Sequence, residues 1–159
     1  MKKVLIAIDY NPTAQKVAES GHSIAKAIGA EVYLMHVIAD PGYYAQDYSP
    51  IMGFSGYAYE GRPDFTGIGS LTQSSQDFLE QAKNHLFDKD IHILIKEGSA
   101  AEQIIRSAKE LSVDMIVMGS HSRKWLAQIL MGSVTETVLN QTETPVLVIP
   151  TKKLDHSGS

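Results

Sequence analysis

The sequence predicts an α/β fold, a single doubly wound domain in which helices cover both faces of a parallel sheet. Apolar runs without polar alternation, such as the one that stops at Asp9, are typical of strands buried on both faces. Segments with helical spacing of apolar residues separate these runs, and right-handed crossovers turn such an alternation into a doubly wound sheet. The length of 159 residues and the hydrophobic share of 43% fit one domain with one core.

Five segments are predicted as strands. Each is a short run rich in apolar and β-branched residues, and together they cover residues 4–8, 31–38, 91–96, 114–118 and 145–149.

The first two predicted helices follow from apolar spacing and from residues that favour helix ends. The first begins at Asn11, whose side chain can cap it, with Pro12 in the first helical position, and it ends at Gly29. The second runs from about residue 71 to residue 87, with its apolar residues on one stripe.

The last two predicted helices start at capping boxes, in which two side chains each satisfy the other's free backbone amide. Ser99 pairs with Glu102 at the third helix, and Ser133 pairs with Glu136 at the fourth, which runs to about residue 141.

One long segment interrupts this alternation. Residues 42–70 hold six of the twelve glycines and five of the seven tyrosines, without strand or helix periodicity. A loop of this length is a lid, an interaction loop or a mobile loop with no task of its own. The predicted domain is residues 1–150, including this loop, and residues 151–159 are predicted to form a polar, frayed tail.

Composition excludes several classes of protein. The formal net charge of -4 repels phosphate polymers, so a general nucleic-acid binder is not expected. The absence of cysteine excludes disulfides, thiolate zinc sites and thiol nucleophiles, and it suits the cytoplasm. The apolar stretch near the N-terminus is far shorter than a membrane span, so no span is predicted.

Residues that directly follow strands form the candidate site, because open α/β sheets bind ligands at the carboxyl ends of their strands. Asp9 follows the first strand, a glycine turn with two cations covers residues 119–124 after the fourth, and Gly132-Ser133 starts the last helix. Glycine lets the backbone approach a ligand closely, and the positive end of a helix attracts an anion. This combination predicts a phosphorylated ligand.

Each of these features also has a purely structural interpretation. Asp9 could cap the turn that follows it, and Gly132-Ser133 alone is an ordinary helix start. Arg123 and Lys124 could be solvated surface charges.

Other motifs of nucleotide enzymes and hydrolases are missing. The sequence has no Walker loop, Gly67-Ile68-Gly69 does not follow a strand, and Gly53-Phe54-Ser55-Gly56 is not a nucleophile elbow.

His36 lies inside the second strand and is predicted to be a satisfied core or rim histidine, while His121 could approach phosphate or a metal. No catalytic residue and no protein ligand for a metal is predicted.

Several stretches resemble the universal stress protein (UspA-type) family, and the resemblance extends over nearly the whole chain. They are Met118-Gly119-Ser120-His121-Ser122, Gly132-Ser133-Val134-Thr135-Glu136 and Thr144-Pro145-Val146-Leu147-Val148-Ile149-Pro150.

The resemblance implies a five-stranded parallel sheet in the order 3-2-1-4-5. The nucleotide-binding branch of the family has a glycine motif that this chain matches at Gly119, Gly132 and Ser133, with Ser122 in place of the second glycine. The implied ligand is ATP or another adenine nucleotide, with Mg or Mn bound through the phosphates. Position by position, adenine and ribose would lie against Ala7, Ile8, Asp9, Val37, Met118 and Gly119, and the phosphates against Ser122, Arg123, Gly132, Ser133, Val134 and Thr135.

The predicted function is that of an ATP-binding stress-response regulator whose nucleotide state changes its interaction with a protein partner. The resemblance also implies a homodimer through the final strand, residues 145–149. Any ATP hydrolysis should be slow, because His121 alone could act as a base near the phosphates. The alternative is a dimeric signalling or scaffold module that works without nucleotide. A third possibility, a phosphoacceptor receiver domain, is disfavoured because the sequence lacks the acidic cluster that such a domain needs beside Asp9.

Overall fold

The strands form one parallel sheet, and, numbered along the chain, they lie in the predicted order 3-2-1-4-5. The computed structural model describes residues 2–10, 13–38, 68–120 and 132–151. Every predicted strand is present, and no strand end differs from its prediction by more than one residue. The strands are β1 (Lys3–Ala7), β2 (Glu31–Ile38), β3 (His92–Glu97), β4 (Met115–Gly119) and β5 (Val146–Ile149).

Four helices are found in these parts of the chain: α1 (Ala14–Ala27), α2 (Ile68–His85), α3 (Ala100–Glu110) and α4 (Ser133–Gln141). Residues 11 and 12, the predicted start of α1, lie outside the described residues; α1 has Thr13 as its N-cap, with no side-chain cap bond. Gly29 follows the end of α1 with a φ of 68°, as its predicted role requires.

Helix α2 begins earlier than predicted and ends earlier as well. Its first turn takes up residues 68–70, which the sequence assigned to the long loop, because Ile68 lies three residues before Leu71 and continues the helical spacing. The helix ends at His85, and Phe87, the predicted end, has a φ of 53° that no helix accommodates. Residues 42–67 of the predicted loop lie outside the described residues.

Both predicted capping boxes are wrong. Ser99 is the N-cap of α3, but its side chain makes no cap bond, since Ser99 and Glu102 are both exposed and water can satisfy the same amides. The N-cap of α4 is Gly132 rather than Ser133, and the Gly132 carbonyl accepts the Glu136 amide at 3.0 Å. Glu136 therefore lies one position too far into the helix for a capping box.

Successive residues of each strand point to opposite faces of the sheet and divide the core in two. Leu34 belongs to the cluster under α1 and α2, whereas its neighbour Met35 belongs to the cluster under α3 and α4. Both side chains are fully buried. The doubly wound prediction is thus confirmed, because apolar helices cover both faces. Within the described ranges, no helix has the length and hydropathy to cross a membrane.

Candidate functional site

The candidate site lies where the chain changes direction across the sheet. From β1 the chain proceeds to β2 and β3 on one side, and it then returns to β4 and β5 on the other. Ile6 of β1 is opposite Val117 of β4, so β4 ends one residue beyond the end of β1. The connections that follow β1 and β4 leave the sheet in different directions and open a crevice between the two strand ends. Doubly wound sheets bind their ligands in a crevice of this kind.

The N-terminus of α4 is tied to the end of β4. The Thr135 hydroxyl donates to the Gly119 carbonyl at 2.8 Å, and the Gly132 amide donates to the Ser120 carbonyl at 2.5 Å. Thr135 is buried while Ser133 is exposed, so the first turn is anchored on one side and open on the other. The N-terminal amides and positive dipole end of α4 therefore lie beside Gly119, where they can attract an anion.

A second pair of residues closes the β5 side of the crevice. The Ser120 amide donates to the Ile149 carbonyl at 2.9 Å, and the Ser120 hydroxyl accepts the Thr151 amide at 2.9 Å and lies 3.1 Å from the Thr151 hydroxyl. Thr151, which the sequence assigned to a frayed tail, is instead buried. Residues 152–159 lie outside the described residues.

Four of the predicted site residues share one apolar cluster on the α3 and α4 face. Val37 and Met118 belong to it, and Ala7 and Val134 pack against it. These residues come from β1, β2, β4 and α4, so the cluster forms a common apolar base next to the strand ends. Such a base suits the flat apolar surface of a heterocyclic ring.

Ile8 has a different environment from its neighbours. Its side chain packs in the cluster on the α1 and α2 face. Its amide donates to the Met35 carbonyl at 2.9 Å, and its own carbonyl lies 3.1 Å from Nδ1 of His36. Ile8 therefore aligns the end of β1 with β2, and its side chain faces away from the cluster that contains Val37.

Asp9 lies beside a buried histidine at the end of β1. Oδ1 of Asp9 accepts the Tyr10 amide at 2.8 Å and lies 3.6 Å from Nδ1 of His36. The Asp9 side chain is 22% exposed, whereas that of His36 is fully buried. Burial lowers the pKa of His36 below its ordinary value of 6.5, against the opposing effect of the Asp9 carboxylate. The ring is thus a satisfied core histidine, as predicted.

The remaining predicted residues cannot be placed. Ser122 and Arg123, with His121, fall in residues 121–131, which lie outside the described residues. The phosphate side of the predicted site is accordingly represented by residues 132–135. Among the residues that the structure does describe, no group of three or more histidine and carboxylate side chains could hold a metal ion. A metal bound through phosphates does not require such a group.

Comparisons with known proteins point to one family. A model of the universal stress protein family matches residues 1–150. Universal stress protein MJ0577 of Methanocaldococcus jannaschii is 31% identical over 155 residues, which cover 95% of this chain and 96% of that protein. The solved structure of MJ0577 has a TM-score of 0.70 at 29% identity and covers 96% of this chain and 98% of its own.

Two further solved structures share the fold at lower identity. A universal stress protein in complex with cAMP has a TM-score of 0.62 at 19% identity, over 95% of this chain and 98% of its own. A universal stress protein from Archaeoglobus fulgidus in complex with dAMP has a TM-score of 0.61 at 18% identity, over 94% of this chain and 98% of its own.

Proposed function

The chain belongs to the universal stress protein family, and from that premise we propose that it binds an adenine nucleotide in the crevice between β1 and β4. The observation that carries the proposal is the attachment of α4 to Gly119, which holds the N-terminus of α4 beside an apolar base. Two fold neighbours occur in complex with cAMP and with dAMP, and both ligands are adenine nucleotides. This agreement supports the same class of ligand for this chain.

In the proposed complex, the strand ends recognise the nucleoside and α4 binds the phosphates. Asp9 faces the ribose, the Val37 backbone meets the adenine edge, and Met118 with Gly119 lies against the ribose. The phosphates lie at residues 132–135, together with the predicted Ser122 and Arg123, and they carry Mg or Mn. ATP is the proposed nucleotide. Its presence or absence in the site would change the interaction of this chain with a protein partner in the cytoplasm.

Substitution of Gly132 tests the phosphate side of this proposal. A valine side chain at Gly132 would project where the backbone must approach phosphate, so Gly132→Val should weaken ATP binding at least about tenfold in calorimetry. Ser99→Val is the matched control, since Ser99 is also an extended N-cap without a side-chain cap bond, on a helix that follows β3. If Gly132→Val binds ATP as tightly as the control, the phosphates are not bound at α4.

The departure from the glycine motif at Ser122 favours a second candidate, a dimeric signalling or scaffold module that needs no nucleotide. Mass spectrometry of small molecules released from freshly purified protein separates the two candidates. A co-purified adenine nucleotide supports the first. Protein that releases no nucleotide and whose thermal stability does not respond to ATP supports the second.

A further inference from the structure

The buried ring of His36 contacts the part of the backbone that carries Asp9. Nδ1 lies 3.1 Å from the Ile8 carbonyl oxygen, which can only accept a hydrogen bond. Nδ1 must therefore carry the proton and donate it. The same nitrogen lies 3.6 Å from Oδ1 of Asp9, which is an electrostatic contact rather than a hydrogen bond, and that oxygen also accepts the Tyr10 amide at 2.8 Å. A single ring nitrogen thus orients the peptide before Asp9 and also places partial positive charge beside its carboxylate.

Two aromatic rings hold this imidazole in place. The ring centroid of Tyr10 lies 4.6 Å from that of His36 and 4.7 Å from that of Phe78, and Phe78 lies 5.7 Å from His36. The Tyr10 hydroxyl donates to the Ser75 hydroxyl at 3.2 Å. Because Ser75 and Phe78 belong to α2 and are fully buried, the ring has little freedom to rotate away from Asp9.

A carboxylate held in this way is suited to a pair of hydroxyl groups. It is an acceptor only, and its oxygens can accept hydrogen bonds from two donors at once. Ribose presents its 2′- and 3′-hydroxyls side by side, whereas a 2′,3′-dideoxyribose presents neither. Fixing the carboxylate before the ligand arrives favours binding, since the cost of ordering the side chain is then already met by folding.

We propose that His36 is a positioning residue for nucleotide recognition: it fixes the Asp9 carboxylate toward the ribose hydroxyls and so makes the site select ribonucleotides over 2′,3′-dideoxynucleotides. This inference rests on the proposed function, and it assigns the sugar specificity of that site to a side chain that does not itself reach the ligand.

The test compares the dissociation constants of ATP and 2′,3′-dideoxy-ATP in calorimetry. Wild-type protein should prefer ATP by about tenfold, the range expected for hydrogen bonds to a charged acceptor. His36→Leu should lose most of that preference, with weaker ATP binding and nearly unchanged dideoxy-ATP binding. General damage to the fold would instead weaken the binding of both nucleotides to the same degree. Asp9→Ala should have the same effect, and the double variant His36→Leu with Asp9→Ala should lose no more than either single variant.

Two further variants replace only the ring. The substitution His36→Asn places an amide N–H at the position of Nδ1 and should restore the preference for ATP, whereas His36→Gln places it one bond further away and should not. Tyr10→Phe is the matched control, because it removes the hydroxyl that reaches Ser75 and leaves the His36 N–H in place. It should keep the preference.

The outcomes separate this inference from the proposed function. Wild-type protein that binds neither nucleotide overturns both. Wild-type protein that binds the two equally well overturns only the inference, as does a preference that survives in His36→Leu. If His36→Leu does not fold, His36→Asn and His36→Gln decide, and equal preferences in these two variants overturn the inference.

Discussion

Gly29 is a residue whose backbone conformation alone explains its identity. Its φ is 68°, and a Cβ built on it would meet no atom within 4 Å. Gly29→Ala should therefore reduce the free energy of unfolding by about 1 kcal/mol through backbone strain rather than through a clash. Gly29→Asn should cost less, since asparagine tolerates the left-handed region. Urea denaturation of the two variants measures the difference, and equal losses would show that strain is not the cause.

Burial of His36 predicts a loss of stability in mild acid. Its folded pKa is lowered below 6.5, so below that pH the unfolded chain takes up a proton that the folded chain excludes. The free energy of unfolding should therefore decrease from pH 7 toward pH 5, by at most about 1.4 kcal/mol per pH unit for this one group. A hydrogen bond from His85 lowers the pKa of Glu19, and one from His22 lowers the pKa of Asp88. These two carboxyls therefore titrate at lower pH than this range.

The measurement is the pH dependence of urea unfolding for wild-type protein and His36→Asn. The variant lacks the titrating group, so its free energy of unfolding should change less between pH 7 and pH 5. Parallel curves for the two proteins would show that His36 titrates alike in the folded and unfolded states.

At the scale of the element, β5 is the strand that most directly suggests self-association. It forms one edge of the sheet, and within the described residues it pairs with β4. Its four residues are all apolar, and unpaired apolar edges attract further strands. We expect two copies to pair β5 across a two-fold axis, with Val148→Lys weakening the contact. Sedimentation at micromolar concentration checks this: a monomeric wild type, or a variant as dimeric as wild type, contradicts it.

The elements differ in how far the sequence could predict them. The bounds of β2 match their prediction because an apolar run buried on both faces is a strong local signal. The N-cap of α4 does not match its prediction, because the choice between Gly132 and Ser133 depends on which residue is extended, and both residue types are accepted there.

The hydrogen bonds that support the candidate site were harder to predict than the positions of its proposed ligand-facing residues. Gly119 and Gly132 follow from strand ends and helix starts, which are local patterns. The Thr135 bond to Gly119 spans 16 residues and the contact of Ser120 with Thr151 spans 31. The Tyr10 bond to Ser75 spans 65 residues. For this last bond, the available signal in the sequence was Ser75 on the buried face of α2, near Phe78. A buried serine indicates that it has an internal hydrogen-bond partner, but it does not identify that partner.

For the whole molecule, ligand binding should appear as added stability. A nucleotide that binds only the folded chain stabilises it by about 2.7 kcal/mol at one hundred times its dissociation constant. For a chain of this size the midpoint of thermal unfolding should rise by roughly 5 to 10 °C. Sodium tripolyphosphate at the same concentration is the control for a general anion effect. If it raises the midpoint as much as ATP does, adenosine contributes nothing to recognition.

The central position of β1 has a consequence for protein synthesis. β1 pairs with β2, which follows closely in the chain, and also with β4, whose approach is marked by the hydrogen bond from the Lys3 amide to Asp114, 111 residues later. A chain still emerging from the ribosome can therefore pair β1 with β2 while the crevice has only one wall. Helix α4, which follows β4 in the chain, supplies the other wall later. If the proposed nucleotide site is correct, a chain truncated before α4 should lack that site, and ATP should not protect it from proteolysis.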